Sequence, residues 1–205
     1  MAATRVMERI AWTAGIVILA VWGGLHLYGA SDARREIDRF RAAAQQGTSA
    51  RPDMSLWSPK RVQAWEEAMQ KGTPAALAVL RIPRIKLEVP ILAGTDELTL
   101  NRAVGLIEDT AKPTEKGNVG IAGHRDSFFR GLKDLETGDT LELELATGVE
   151  RFKVEKIWIV QPEDVSVLDP TPTKALTLVT CYPFYFIGAA PQRYIVRAVP
   201  DPKHQ

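Results

Sequence analysis

One cysteine and three histidines are all that this chain of 205 residues offers of the side chains that most often attack carbonyls or hold transition metals. A single thiol excludes an intrachain disulfide, a cysteine-rich zinc site and any CxxC redox pair. Charge of one sign is missing as well: 26 Lys and Arg against 25 Asp and Glu leave a formal net charge of +1. No chain-wide field therefore draws the protein to nucleic acid, and a dedicated DNA or RNA binder is not expected. Internal repeats and low-complexity segments are absent too. The length suits one ordinary globular domain with accessory segments, whereas two full domains would be crowded.

What is present begins with a run free of formal charge, Ile10 to Tyr28, about long enough to cross a bilayer as a helix. It is longer than the apolar core of a signal peptide. Although Tyr28-Gly-Ala-Ser-Asp offers small residues resembling a cleavage site, an uncleaved anchor over residues 1–30, spanning 10–28, is the expectation. Arg5 and Arg9 precede the span, and Arg34, Arg35, Arg39 and Arg41 follow it. Counted simply, that bias would keep the following domain on the cytoplasmic side.

Residues 31–74 read as a helical spacer. Ser31 and Asp32 stand as caps before Ile37, Phe40 and Ala44 at helical spacing, and Gly47 to Pro52 breaks the pattern. A second short helix is expected from Ser58 as N-cap and Pro59 in the first turn, through Val62, Trp65 and Met69, to Gly72.

From residue 75 to 205 the pattern changes to short β-rich runs separated by Gly, Pro and charged turns. Ala78–Ile82 and Ile85–Val89 flank Pro83, and Val119–Ala122 is a compact apolar run. Thr140–Leu145 and Phe152–Trp158 alternate apolar with charged residues, as strands with one buried face should. Ala175–Thr180 and Tyr194–Ala198 complete the set, with a helical turn expected near Leu98–Ala103. Such a series predicts a mainly β sandwich or barrel, and closure into a barrel removes exposed sheet edges.

A lone cysteine is more often a small buried hydrophobe than a nucleophile. Nucleophilic work needs a partner that manages protons and a donor that stabilises an oxyanion. His26 lies in the expected span and His204 next to the C-terminus, which leaves His124 as the folded-domain histidine. His124 follows the strand Val119–Ala122 and Gly123, while Cys181 ends the strand Ala175–Thr180. Two strand-end residues of this kind are brought together when their strands are neighbours in one sheet. Arg193 and Arg197 share strand parity, so either is placed to supply a cation. Arg125, next to His124, should point to the opposite face. Asp126 reads as an exposed turn residue or, second, as the group orienting His124.

Thr177-Leu-Val-Thr-Cys181 resembles the strand of form T-L-x-T-C that ends on the nucleophile of sortases. Gly123-His-Arg-Asp-Ser-Phe-Phe-Arg-Gly-Leu132 resembles the sortase histidine segment, and Gln192-Arg-Tyr-Ile-Val196 the strand bearing the arginine. The likeness continues through Leu80–Ile91, Gly117–Ala122 and Cys181-Tyr-Pro-Phe184, covering most of residues 75–200, and is greatest to the class D group. One departure is Pro113-Thr-Glu-Lys-Gly117, where many relatives have Pro-Gly.

The resemblance implies a closed, roughly eight-stranded β-barrel and a membrane-anchored cysteine transpeptidase. Cys181 would attack a backbone carbonyl in an LPxTG-like C-terminal sorting signal, His124 would exchange protons with thiol and leaving amine, and Arg193 would hold the oxyanion. Arg197 is the rival for that last role. The partners implied are protein substrates bearing a sorting signal and an amine acceptor, either a cell-wall precursor or another protein. The catalytic domain would lie outside the cytoplasmic membrane, against the simple charge count. No cofactor is expected, and Glu108, Asp109 and Glu115 do not have the spacing of a calcium cage. Val179, Thr180 and Tyr182 are the candidate substrate-binding residues. Two other readings use the same residues: a cysteine hydrolase, and a catalytically silent, membrane-tethered assembly module.

Overall fold

The structure is a computed structural model, and it describes residues 51–72, 74–185 and 188–204. The expected membrane span and the helix over residues 31–46 lie outside the described residues. Among the described residues no helix is long and apolar enough to cross a membrane.

The spacer's second helix, α1, spans Pro59–Gln70. Ser58 caps it by accepting from the Arg61 amide at 3.3 Å, and proline stands at its first turn, where a missing N–H costs nothing. Gly72, with φ of 77°, turns the chain away. The residues expected to form a turn near Leu98 form a second helix, α2, over Glu97–Arg102, capped by Asp96. The two helices are joined by the buried Arg102 guanidinium, whose Nε donates to the Ala68 carbonyl at 3.0 Å.

Eight strands follow the apolar runs: β1 Ala78–Ile82, β2 Leu87–Ala93, β3 Val104–Leu106, β4 Asn118–Ala122, β5 Thr140–Leu145, β6 Gly148–Val160, β7 Ala175–Tyr182 and β8 Gln192–Pro200. They close into a barrel in the order β1-β2-β3-β4-β7-β8-β6-β5, parallel at β2–β3 and β4–β7 and antiparallel elsewhere. The closed eight-stranded barrel implied by the sequence is therefore the fold. Alternate residues of each strand point inward, and Leu80, Ile91, Ile121, Leu143, Phe152, Leu178 and Val196 fill the interior.

Two strands differ from the sequence pattern. The run from Ile85 does not continue as a strand from its first residue: Pro83–Ile85 forms a 3-10 turn, and Lys86 takes a left-handed φ of 53°. Proline has no N–H for the ladder, so the chain turns before β2 resumes at Leu87. The short β3 carries no alternating pattern because Gly105 sits at its centre. A Cβ there would stand 2.1 Å from the Gly94 carbonyl oxygen, so the close approach of β2 to β3 requires glycine.

Candidate active site

Strand register lays the chemistry out in rows. On β7 the inward side chains are Leu176 and Leu178, which leaves Thr177, Val179 and Cys181 on the outer face of the barrel. Antiparallel pairing sets Cys181 opposite Arg193, Val179 opposite Ile195 and Thr177 opposite Arg197. On the other side, parallel pairing sets Ala122 beside Val179 and Gly120 beside Thr177. The ladder continues one step further, with the Gly123 amide donating to the Val179 carbonyl at 3.2 Å. His124 stands just beyond the end of β4, and extending the register by one outward step places it beside Cys181, with Arg193 on the other side of the thiol.

The turn after β4 is built to hold the imidazole there. The His124 carbonyl accepts from the amides of Ser127 at 3.3 Å and Phe129 at 3.2 Å, closing a tight turn. Phe129 is fully buried, and its ring fills the space beside Gly123, where a Cβ would come within 2.7 Å of Cδ2. Any side chain at Gly123 would displace that ring and the histidine with it.

Burial pushes the His124 imidazole below its ordinary pKa, and the Arg61 guanidinium adds to that, while Glu97 and Asp126 pull the other way. Its Nε2 is buried without a hydrogen-bond partner. Glu97 Oε1 lies 3.8 Å from it, beyond hydrogen-bond range. An uncommitted imidazole nitrogen at a strand end is available to a thiol or an amine. Asp126 is not hydrogen-bonded to the ring; its Oδ1 pairs instead with Arg61 Nε at 3.2 Å.

Cys181 is half-buried and free. Beside it, Arg193 Nη1 donates to the carbonyl of Gln192, its neighbour on β8, at 3.1 Å and to the Ala190 carbonyl of the β7–β8 connection at 3.4 Å. Neither acceptor is charged, so the guanidinium keeps its full positive charge for an incoming anion. Arg197, the rival, has Nη2 on the Val167 carbonyl at 2.6 Å and its guanidinium 5.8 Å from the Trp158 ring centre. It is two outward rows removed from the thiol and fastened to the 3-10 turn Val165–Leu168.

The candidate substrate-binding residues take different places. Val179 is half-buried on the outer face, one row below Cys181. Thr180 is inward and buried, its hydroxyl donating to the Gly123 carbonyl at 2.7 Å, so it ties the cysteine strand to the histidine strand. Tyr182 is on the inward side, stacked on Tyr194 at 6.1 Å and edge-on to Phe184 at 6.0 Å.

Two arginines of the histidine segment grip the loop after the cysteine. Arg125 donates to the Pro183 carbonyl at 3.2 Å and the Gly188 carbonyl at 2.9 Å. Arg130 donates to the Phe184 carbonyl and lies 4.5 Å from the Tyr185 ring centre. Sequence reasoning missed these roles, as it missed those of Arg61, Glu97 and Asn101 around His124, because each joins segments far apart in the chain. Among the described residues no group of three or more His, Cys, Asp or Glu is gathered to hold a metal ion. Glu115 instead accepts from the Lys112 amide at 3.1 Å.

The chain is similar to known proteins in sequence and in fold. Residues 80–201 match the family model of the sortase domain. Sortase D of Bacillus subtilis (strain 168) is 36% identical over 185 residues, covering 89% of this chain and 91% of that one. Among solved structures, the sortase D5 transpeptidase of Clostridium perfringens superposes with a TM-score of 0.57 at 27% identity, over 70% of this chain and 99% of that one. Sortase C-1 of Actinomyces oris does so with a TM-score of 0.57 at 25% identity, over 81% and 98%.

Proposed function

The chain belongs to the sortase family of cysteine transpeptidases, with a class D homologue among its relatives, and from that premise we propose a substrate, a route and a location. The substrate is a protein whose C-terminal sorting signal is LPxTG-like. Cys181 passes its thiol proton to His124 and, as the thiolate, adds to the scissile carbonyl, and the developing oxyanion is held by the Arg193 guanidinium, which exchanges a backbone carbonyl for the stronger anionic acceptor. The C–N bond then breaks, the leaving amine takes a proton from His124, and the acyl group remains on Cys181 as a thioester. A primary amine next attacks the thioester and gives its proton to His124. The new amide departs and the thiolate is restored. Thiol, imidazole and guanidinium suffice for these steps, and no cofactor enters.

The observation that carries this reading is the register that places His124, just beyond β4, and Arg193 on either side of Cys181. Val179 and Ala122, one row below, form the floor on which the apolar part of the signal lies. Thr180 acts on that floor from beneath by holding β7 to β4. Residues 10–28 anchor the chain, and the catalytic domain faces the outside of the cytoplasmic membrane, where an amine of the cell envelope or of another protein is the acceptor.

The test is mass spectrometry of the chain with a library of LPxTG-like peptides, with and without an added primary amine. The expected result is an acyl adduct on Cys181 and an amine-ligated product, both absent in Cys181→Ala. Hydrolysis unaffected by the amine would replace the transpeptidase with a hydrolase. Absence of any adduct, with folding intact, would leave a tethered assembly module.

A further inference from the structure

Arg61 belongs to α1, outside the barrel, yet its guanidinium is only 18% exposed and reaches the surroundings of His124. Its Nε lies 3.2 Å from Asp126 Oδ1, and its Nη1 lies 2.5 Å from Asn101 Oδ1 and 3.5 Å from Glu97 Oε1. The same Glu97 oxygen is 3.8 Å from His124 Nε2. We propose that Arg61 is a positioning residue for His124, holding Glu97 and Asp126 as a fixed anionic pair beside the imidazole and keeping Glu97 from binding Nε2.

The physical case rests on what the carboxylates would do without it. Glu97 is 73% exposed and long, and among the described residues the shared Arg61 guanidinium is the cation that holds it. A shift of about an ångström would bring Oε1 into hydrogen-bond range of Nε2. That bond would favour the imidazolium and occupy the nitrogen needed by the thiol and the leaving amine. The charged and titratable groups set around the ring are Arg61 from α1, Glu97 from α2, Asp126 from the ring's own loop, and Cys181 and Arg193 from β7 and β8. The placement of Arg61 is secured independently of these ions. Ser58 caps its turn, Trp57 packs edge-on against Phe128 at 4.8 Å, and Arg102 binds the Ala68 carbonyl. The spacer helix is on this account part of the catalytic unit.

The inference rests on His124 being the proton carrier proposed above, and it is tested by two readouts, only one of which needs turnover. The His124 imidazole of the full chain, labelled at histidine and assigned by its loss in His124→Gln, is titrated by NMR alongside measurements of kcat and KM. Arg61→Gln should move the titration to higher pH and lower kcat by about tenfold, with KM within about twofold. Arg61→Lys, which keeps the charge, should restore most of the titration shift. Asp126→Asn, which leaves α1 untouched, should move the titration the opposite way, to lower pH. An unmoved titration in a folded Arg61→Gln chain, or movement in the same direction for Arg61→Gln and Asp126→Asn, would overturn the inference. Titrations that move as expected in a chain that forms no ligated product would uphold it and count against the transpeptidase reading alone.

Discussion

Two rows on one face of the barrel, four residues apart along β7 and β8, meet opposite fates. In the lower row Thr177 donates to Asn118 Oδ1 at 2.6 Å, and Asn118 Nδ2 donates to the Val167 and Asp169 carbonyls at 3.0 and 3.1 Å. Arg197 binds Val167 as well, although its Nε lacks a partner. The 3-10 turn Val165–Leu168 covers that row, and its polar groups serve the fold. In the upper row one imidazole nitrogen is uncommitted, and the Arg193 guanidinium rests on the Ala190 and Gln192 carbonyls. The same sheet thus uses the polar groups of the lower row for cohesion and leaves those of the upper row less committed. Polar satisfaction, more than residue type, separates them.

The two arginines provide the sharpest way to break this comparison. Arg193→Lys should lower kcat/KM by on the order of a hundredfold, since an ammonium lacks the directed pair of donors, while thermal stability barely changes. Arg197→Lys should do the reverse, costing about 1–2 kcal/mol of stability with kcat/KM within a few-fold of the parent. Steady-state kinetics and thermal melts of both variants decide the matter, and equal kinetic losses would erase the distinction between the rows.

A smaller effect is expected where the lower row is opened. Asn118→Ala strands the Thr177 hydroxyl and the Asp169 carbonyl, leaves the Val167 carbonyl to Arg197 alone, and should destabilise the chain by about 2–3 kcal/mol. That corresponds to a drop in Tm of roughly 4–12 °C for a domain of this size. Calorimetry would show it, and a loss of activity without a loss of stability would mean that the 3-10 turn belongs to the substrate site rather than the scaffold.

The smallest effect concerns acid. His124 has a folded pKa below its ordinary value, so between the two the unfolded chain binds more protons than the folded one. Stability from this group is therefore present above about pH 6.5 and falls as pH drops below it. His124→Asn should lose less stability than the parent between pH 7.5 and pH 5, as measured by urea unfolding. An equal loss would mean that His124 titrates alike in both states.

How much of this was legible in the sequence follows from the range of each interaction. Alternating runs such as Thr140–Leu145 and the strand ends at His124 and Cys181 are local patterns, and the barrel and the facing pair grew from them. Alternation alone also separates Thr180 from Cys181, because neighbours on a strand face opposite sides, and the structure spends the Thr180 hydroxyl inside. The three-residue β3 gave no pattern, being one-third glycine and fixed by the close approach of Gly105 to Gly94. Arg61 was unreadable for a different cause: one arginine on a polar helix looks like any other until the chain folds Asp126 against it.

The parallel pairing of β4 with β7 has a consequence for how the enzyme comes into being. Parallel neighbours cannot be joined by a hairpin, and here β5, β6 and their connections intervene between them. Closing so long a loop carries an entropic cost that must be met before any contact between the two strands rewards it. Thiol and imidazole therefore meet only once nearly the whole domain has been synthesised and collapsed. A nascent chain carries an ordinary cysteine, and the meeting of that thiol with the imidazole waits on the completion of folding itself.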